Sequence, residues 1–331
     1  MRIAFIGAVE GSLVAFNALV AAGMTPMLLV TLPPQVAHRH SDFVDLATPA
    51  RAAGASVHLT TNVNAADTIA ALEAAAPDLT MVVGWSQICH GAFRAVARIG
   101  TLGFHPAPLP RFRGRAVIPW TILAGEEMSG STVFWLDEGV DSGPIVAQRL
   151  FPVGPEETAR SLYEKHKQVL AELVPEAVMR IAGGDIAGAP QDHGLASYCA
   201  RRTAEDGLID WRAPSGDVLR FVRAVGDPYP GAFTFANGER LVIDAARAFA
   251  PKGRYIGMTG QVQSHTDAGF TVLCGDGGTI EVTAWRTQSG RAPGIHAKLM
   301  SQAATEDSSG RSFRYHWTNA VTPSSTLVRG R

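Results

Sequence analysis

At 331 residues the chain is long enough for two domains, each with its own core. Apolar residues make up 46% and charged residues 18%, a composition of soluble globular proteins that excludes disorder. A net charge of −1 excludes a general pull toward nucleic acid or anionic membrane, and three scattered cysteines (Cys89, Cys199, Cys274) without a CxxC exclude a disulfide framework and a zinc knuckle.

The first stretch, Arg2 to Gly7, is β-branched and aromatic and predicts a strand. It lacks the basic start and long apolar core of a signal peptide, and no membrane span follows, so a reducing cytoplasm is the expected compartment. Gly7 and Gly11 punctuate a turn, Ser12 is a candidate N-cap, Leu13 to Ala22 predicts a helix ending at Gly23, and Met27 to Leu32 predicts a strand. This βαβ opening carries GAVEGS in its turn, not G-x-G-x-x-G, so a dinucleotide site is not expected. Val57–Leu59 (strand), Ala65–Ala75 (helix), Leu79–Gly84 (strand), Ala92–Ala97 (helix) and Ile99–Phe104 (strand) continue the alternation. That order predicts an α/β fold with a doubly wound, mainly parallel sheet. Ser131–Leu136 and Pro144–Phe151 predict two more strands. Pro155 to Thr158 opens a long amphipathic helix, with Ala159, Leu162, Tyr163, Val169, Leu170, Leu173 and Val174 at helical spacing.

Residues 183–197 turn to Gly, Ala, Pro, Asp and His and predict a linker, which bounds a first domain at 1–182. A second domain over 198–290 starts with a short helix, Pro214–Ala224. Short strands follow at Ala232–Phe235, Leu241–Ala246, Gly260–Gln263, Phe270–Cys274 and Ile280–Trp285, with Asn-Gly and Asp-Gly turns that predict a small β-barrel or sandwich. Residues 291–331 are expected to be a flexible tail.

Chemistry concentrates between Leu102 and Asp141. The strand into His105 delivers one imidazole to a loop stiffened by Pro106, Pro108 and Pro110, and a basic run, Arg111 to Arg115, follows. The strand Ser131–Leu136 ends in an acidic turn, Asp137 to Gly143. A His and an Asp at two strand ends on the rim of one sheet form a candidate catalytic site, because ligand crevices in open α/β sheets lie at the strands' carboxyl ends. Taken singly, His105 reads as structural, Asp141 as a turn aspartate, and Asp137 and Glu138 as turn and surface residues. His38, Arg39 and His40 form too weak a cluster for a metal site, and no metal is expected.

HPAPLPRFRG, with the Asp of DEGVDSG thirty-six residues after its His, resembles the signature of the folate-dependent formyltransferase family. DGLIDWRAPSGDVLRFVRAVGDPYPGAF is similar to the opening of the C-terminal barrel in the transfer-RNA and aminoarabinose branches of that family, and its VRAVGDPYPGAF part is nearest to the latter. The resemblance covers about 290 of the 331 residues. It implies a Rossmann-like formyltransferase domain, a small OB-like barrel, and N10-formyltetrahydrofolate as formyl donor. It implies that His105 does the proton work of an amine attacking the formyl carbon, and that Asp141 orients His105 or holds a relaying water. Trp85, Ser86, Gln87, Ile88 and Cys89 match one wall of the pteridine pocket, and Leu136, Asp137, Glu138, Gly139 and Val140 the opposite wall. Arg113, Gly114 and Arg115 match a loop near the acceptor, where a guanidinium can clamp a phosphate or carboxylate. The family's oxyanion-binding Asn stands two residues before the His, and here that place is Gly103. Gln87 or Ser86 is a candidate replacement donor.

A transfer-RNA acceptor calls for a basic insertion and a basic barrel. Here PPQVAHRHSDF holds one Arg and no Lys, and residues 201–300 hold 12 Lys and Arg against 10 Asp and Glu. The expected partner is therefore a small amine, foremost an amino sugar on a nucleotide diphosphate, with an ornithine derivative as another candidate. A transfer-RNA-directed enzyme, a formyltetrahydrofolate hydrolase and a non-catalytic folate-binding relative are the alternatives, the last two because of Gly103. Sugar-modifying relatives are commonly homodimers, although no interface is legible in the sequence.

Overall fold

Ile3–Ile6 forms the central strand β1 of a computed structural model that describes residues 1–39 and 41–300. Its side chains are all buried and alternate between two helical layers, with Ile3 and Phe5 on one face and Ala4 and Ile6 on the other. Around it the chain lays down α1 (Glu10–Ala21), β2 (Leu28–Thr31), α2 (Ala47–Ala52) and β3 (Ser56–Leu59), then α3 (Ala66–Ala75), β4 (Leu79–Val82), the single-turn α4 (Gly91–Arg94) and β5 (Gly100–His105). Next come the two-residue β6 (Arg113–Gly114), α5 (Val117–Leu123), β7 (Met128–Trp135), β8 (Ile145–Pro152) and α6 (Ala159–Ala182). The seven-stranded sheet has the order β3-β2-β1-β4-β5-β7-β8. Its first five strands are parallel, and β7 and β8 are antiparallel to their neighbours.

Helix α1 begins three residues earlier than the expected Leu13. Ser12 does not cap it: the Ser12 hydroxyl accepts from the Ala8 and Val9 amides and donates to the Val83 carbonyl, tying the turn after β1 to β4. Helix α6 starts with a reciprocal cap. Thr158 Oγ1 accepts from the Ser161 amide, and the Ser161 hydroxyl accepts from the Thr158 amide. Helices α2 and α5 have no counterpart among the expected elements; α5 carries Pro119 in its first turns, where the missing N–H costs no intrahelical bond.

After residues 183–197 the chain forms β9 (Tyr198–Cys199), α7 (Ser215–Val225), β10 (Ala232–Ala236), β11 (Glu239–Phe249), β12 (Val262–Thr266), β13 (Gly269–Leu273) and β14 (Thr279–Arg286). Strands β10 to β14 make a separate antiparallel sheet, order β10-β11-β14-β13-β12. Met300 bridges Phe235 on β10 and Lys298 bridges Gln261 beside β12, so residues 298–300 stitch the two edge strands in the manner of a small barrel. Leu299 between them is buried. Of the segment read as a tail, residues 291–300 are thus partly built into this sheet, and residues 301–331 lie outside the described residues. The second core is shared: Ile118 and Ile122 of α5 and Ala159 and Leu162 of α6 pack with α7, Trp211 and the antiparallel sheet. Among the described residues no helix is long and apolar enough to cross a membrane.

Candidate active site

His105 ends β5 and is 6% exposed. Its Nε2 lies 2.7 Å from the Phe112 carbonyl, which can only accept, so Nε2 donates and carries the proton of the neutral ring. That leaves Nδ1 as the open nitrogen, 3.6 Å from Asp141 Oδ2. The separation is too wide for a direct hydrogen bond and leaves room for a shared polar atom. Asp141 Oδ2 accepts from the Gly114 amide at 2.8 Å.

The two groups do not meet as two strand ends on one rim. Strand β7 runs antiparallel to β5, so Trp135, its last residue, pairs with Leu102, and His105 pairs with Thr132. The turn 137–143 therefore starts at the wrong end of β5 and has to double back to bring Asp141 to the imidazole. Leu136 folds in the same direction, over Gly103: a Cβ at Gly103 would sit 2.6 Å from Leu136 Cδ2 and 3.1 Å from Phe134 Cε1 and Cζ. The place where the resemblance implies an asparagine is thus filled by neighbouring apolar side chains.

Gln87, a candidate replacement donor, is engaged by its own loop and the loop 61–63. Its Oε1 accepts from the Val63 amide and the Trp85 indole, and its Nε2 donates to the Thr61 carbonyl, so both ends brace the loop 61–63. Trp85, Ser86 and Gln87 do line a cavity of about 420 Å³, together with Leu32, Thr61, Arg115 and Arg201. Ile88 is exposed beside it, whereas the Cys89 side chain packs into the core under β4, where burial pushes its thiol up to about 12. On the opposite side Leu136 packs against that same core. Asp137 Oδ1 takes the Gly139 amide and the Ser142 hydroxyl, closing the turn, and Glu138, Gly139 and Val140 are exposed.

Arg113 does not reach solvent. It is 1% exposed and its guanidinium is spent on Gln191, Tyr198 and His193. Gly114 has φ +100°, and a Cβ there would lie 2.6 Å from the Cys199 carbonyl. Strands β6 and β9 pair in parallel, and the Arg115 amide donates to the Cys199 carbonyl. This pairing puts Arg115 and Arg201, each just past its strand, on one wall of the cavity. Burial and the neighbouring Arg201 charge push the Arg115 guanidinium below its usual range. Among the described residues neither side chain has a hydrogen-bond or ion-pair partner. Leu32, Thr61, Gln191 and Arg201 had no sequence signal; Arg201 stands in CARRTAED, where nothing marks it off from Arg202. The His38 and Arg39 side chains and His40 lie outside the described residues. Among those described, no group of three or more His, Cys, Asp or Glu is placed to hold a metal.

Comparison with known proteins assigns this arrangement to a family. Residues 10–178 match the formyl transferase model and residues 201–302 its C-terminal domain. The chain is 34% identical over 310 residues to a methionyl-tRNA formyltransferase of Chloroflexus aggregans, covering 90% of this chain and 98% of the relative. A second methionyl-tRNA formyltransferase, from Anaeromyxobacter dehalogenans, is 32% identical over 285 residues, 86% of this chain and 91% of that one. Among solved structures, HypX from Aquifex aeolicus, in complex with tetrahydrofolic acid, superposes with a TM-score of 0.62 at 22% identity over 87% of this chain and 44% of HypX. An N-formyltransferase from Helicobacter canadensis, in complex with folinic acid and dTDP-3-aminofucose, superposes with a TM-score of 0.61 at 17% identity over 86% of this chain and 99% of the other. The last two likenesses concern the fold alone. The two-part match and the near-complete alignment place the chain in the formyl transferase family.

Proposed function

We propose that the protein transfers a formyl group from N10-formyltetrahydrofolate to the primary amine of a small anionic acceptor, an amino sugar on a nucleotide diphosphate. The observation that carries the acceptor class is the pair of unpartnered guanidinium groups, Arg115 and Arg201, on the wall of the 420 Å³ cavity. Two fixed positive charges without carboxylate partners favour a phosphate or carboxylate between them. The charge pattern of the second unit argues the same way. Arg212, Arg220, Arg223, Arg247 and Arg286 are each paired with an acid, which reduces the positive charge that the second unit can offer a nucleic-acid backbone.

The cavity fits the donor chemically. An indole (Trp85), an aliphatic side chain (Leu32) and the Ser86 hydroxyl suit a flat polar heterocycle. When bound, the donor supplies an activated formyl carbon. The chain's own part centres on His105. With Nε2 held by the Phe112 carbonyl, Nδ1 takes a proton from the attacking amine and returns it to the departing nitrogen. Asp141, across 3.6 Å, steadies the positive ring and aligns the group between them. Within this reading residues 1–182 are the catalytic domain and 198–290 the barrel, and Arg201, two residues past β9, reaches onto the wall of the ligand cavity.

A second reading is favoured by the curated relatives, which are methionyl-tRNA formyltransferases. The deciding experiment follows tetrahydrofolate release by absorbance with nucleotide-linked amino sugars, ornithine derivatives, methionyl-tRNA and a no-amine control. Turnover that requires an amino-sugar nucleotide supports the proposal. Turnover with methionyl-tRNA alone replaces the acceptor, and turnover without any amine makes the enzyme a hydrolase.

A further inference from the structure

Arg113 carries a permanent charge into the interior, and among the described residues its side-chain hydrogen bonds go to Gln191, Tyr198 and His193, with no carboxylate. Nε and Nη2 donate to Gln191 Oε1 at 3.2 and 2.6 Å, Nη1 donates to the Tyr198 hydroxyl at 3.0 Å, and Nη2 donates to His193 Nδ1 at 3.1 Å. All three partners lie in residues 191–198, at the end of the segment that joins the two sheets. The guanidinium fixes which way the Gln191 amide points. With Oε1 held by two N–H donors, Nε2 is turned the other way, and it donates to the Asp141 carbonyl at 2.9 Å and the Gly143 carbonyl at 2.7 Å.

Asp141 needs such a tie. Its backbone is left-handed, φ +49°, a region that Asp tolerates better than most residues but that still favours a turn held by outside bonds. The turn that carries it must also double back over the sheet. The turn's own bonds, from Gly139 and Ser142 to Asp137, close it locally but do not place it relative to β5. The Gly114 amide holds the Asp141 carboxylate, and Gln191 holds the Asp141 backbone.

We propose that Gln191, oriented by Arg113, is the positioning residue that sets where the Asp141 carboxylate stands relative to His105. The segment 183–197 is then part of the site and not a passive connection. The inference rests on the roles given above to His105 and Asp141. It assigns Arg113 to this scaffold, which leaves Arg115 and Arg201 as the cations open to a ligand.

The test is Gln191→Glu in the full chain. The carboxylate keeps the acceptor for Arg113 but loses both donors, and sets negative oxygens against the two carbonyls. The expected result is a folded protein whose kcat falls at least tenfold with the donor KM unchanged. The Gly114 amide, which reports the Asp141 contact, should exchange with solvent at least tenfold faster. In an Asp141→Asn background the same change should cost kcat less than threefold, because the group being positioned is already gone. An equal loss in both backgrounds, or unchanged Gly114 exchange, overturns the proposal. If Gln191→Glu does not fold, Gln191→Met removes the donors without adding charge, and the same readings apply. If the wild-type protein transfers formyl to none of the acceptors, the proposed function falls instead, and Gly114 exchange alone decides the positioning.

Discussion

Gly103 offers the sharpest test of how the site is packed. In Gly103→Asn the new Cβ would stand 2.6 Å from Leu136 Cδ2 and 3.1 Å from two Phe134 ring atoms. Phe134 is buried and pairs directly across from Gly103 on β7, so the ring has little freedom, whereas Leu136 is half-buried and its Cδ2 is the far end of a flexible side chain. The relief has to come from Leu136. Overpacking of this kind costs about 1–3 kcal/mol. Leu136→Ala alone leaves a partly solvated gap and should cost about 1–2 kcal/mol, below the range for a fully buried leucine. Combined, the two changes should cost less than their sum by about 1 kcal/mol or more, because the truncated side chain vacates the space that the asparagine needs. Urea unfolding of wild type, both single variants and the double variant, compared at constant m, measures this coupling. Strict additivity would refute the reasoning, as would a Gly103→Asn protein of wild-type stability.

Other consequences can be measured separately. Gly114→Ala combines a strained φ of +100° with a Cβ 2.6 Å from a backbone oxygen that cannot swing away, so it should destabilise the chain by about 2–4 kcal/mol and lower kcat by loosening the amide that holds Asp141. Arg201→Ala should raise the acceptor KM by about 10- to 100-fold, the loss of a charge-assisted bond, with a smaller effect on kcat; an unchanged acceptor KM in steady-state kinetics would remove Arg201 from the site. His166 is buried with only a Ser131 hydroxyl on Nδ1, and burial, with the nearby His105, pushes it down to about 3. The unfolded chain protonates this ring near pH 6.5 and the folded chain does not. Stability is therefore unaffected above that pH and falls by up to about 1.4 kcal/mol per pH unit from there toward pH 3. His166→Gln should flatten this acid slope in urea titrations between pH 7 and pH 4.5, and an unchanged slope would count against it. Burial pushes the Cys89, Cys199 and Cys274 thiols up to about 12, leaving about 0.01% thiolate at pH 8. A disulfide reagent should label none of the three in the folded protein at that pH and all three in urea, and fast labelling of any one would contradict its placement.

The strands and long helices of this protein follow from local pattern. A fully buried strand such as Ile3–Ile6 must be apolar throughout, and a helix such as α6 shows its opening at Pro155 to Thr158 and its buried stripe in the chain itself. That His105 and Asp141 each follow a strand, thirty-six residues apart, is legible in the chain as well, whereas how they meet is not. Strand direction is not written in composition. That β7 runs against β5, and that the turn bearing Asp141 must double back, is settled only by how the two strands and the chain between them pack in the folded molecule. The arginines show the same limit. RFRGR presents Arg113 and Arg115 as equals, yet one is sealed in the interior and the other faces a cavity. Their fates are decided by Tyr198 and Cys199, some eighty-five residues away, whose strand pairs with β6 and so covers Arg113 and brings Arg201 alongside Arg115. Burial and charge pairing are sums over neighbours distant in sequence, so only the folded chain determines them.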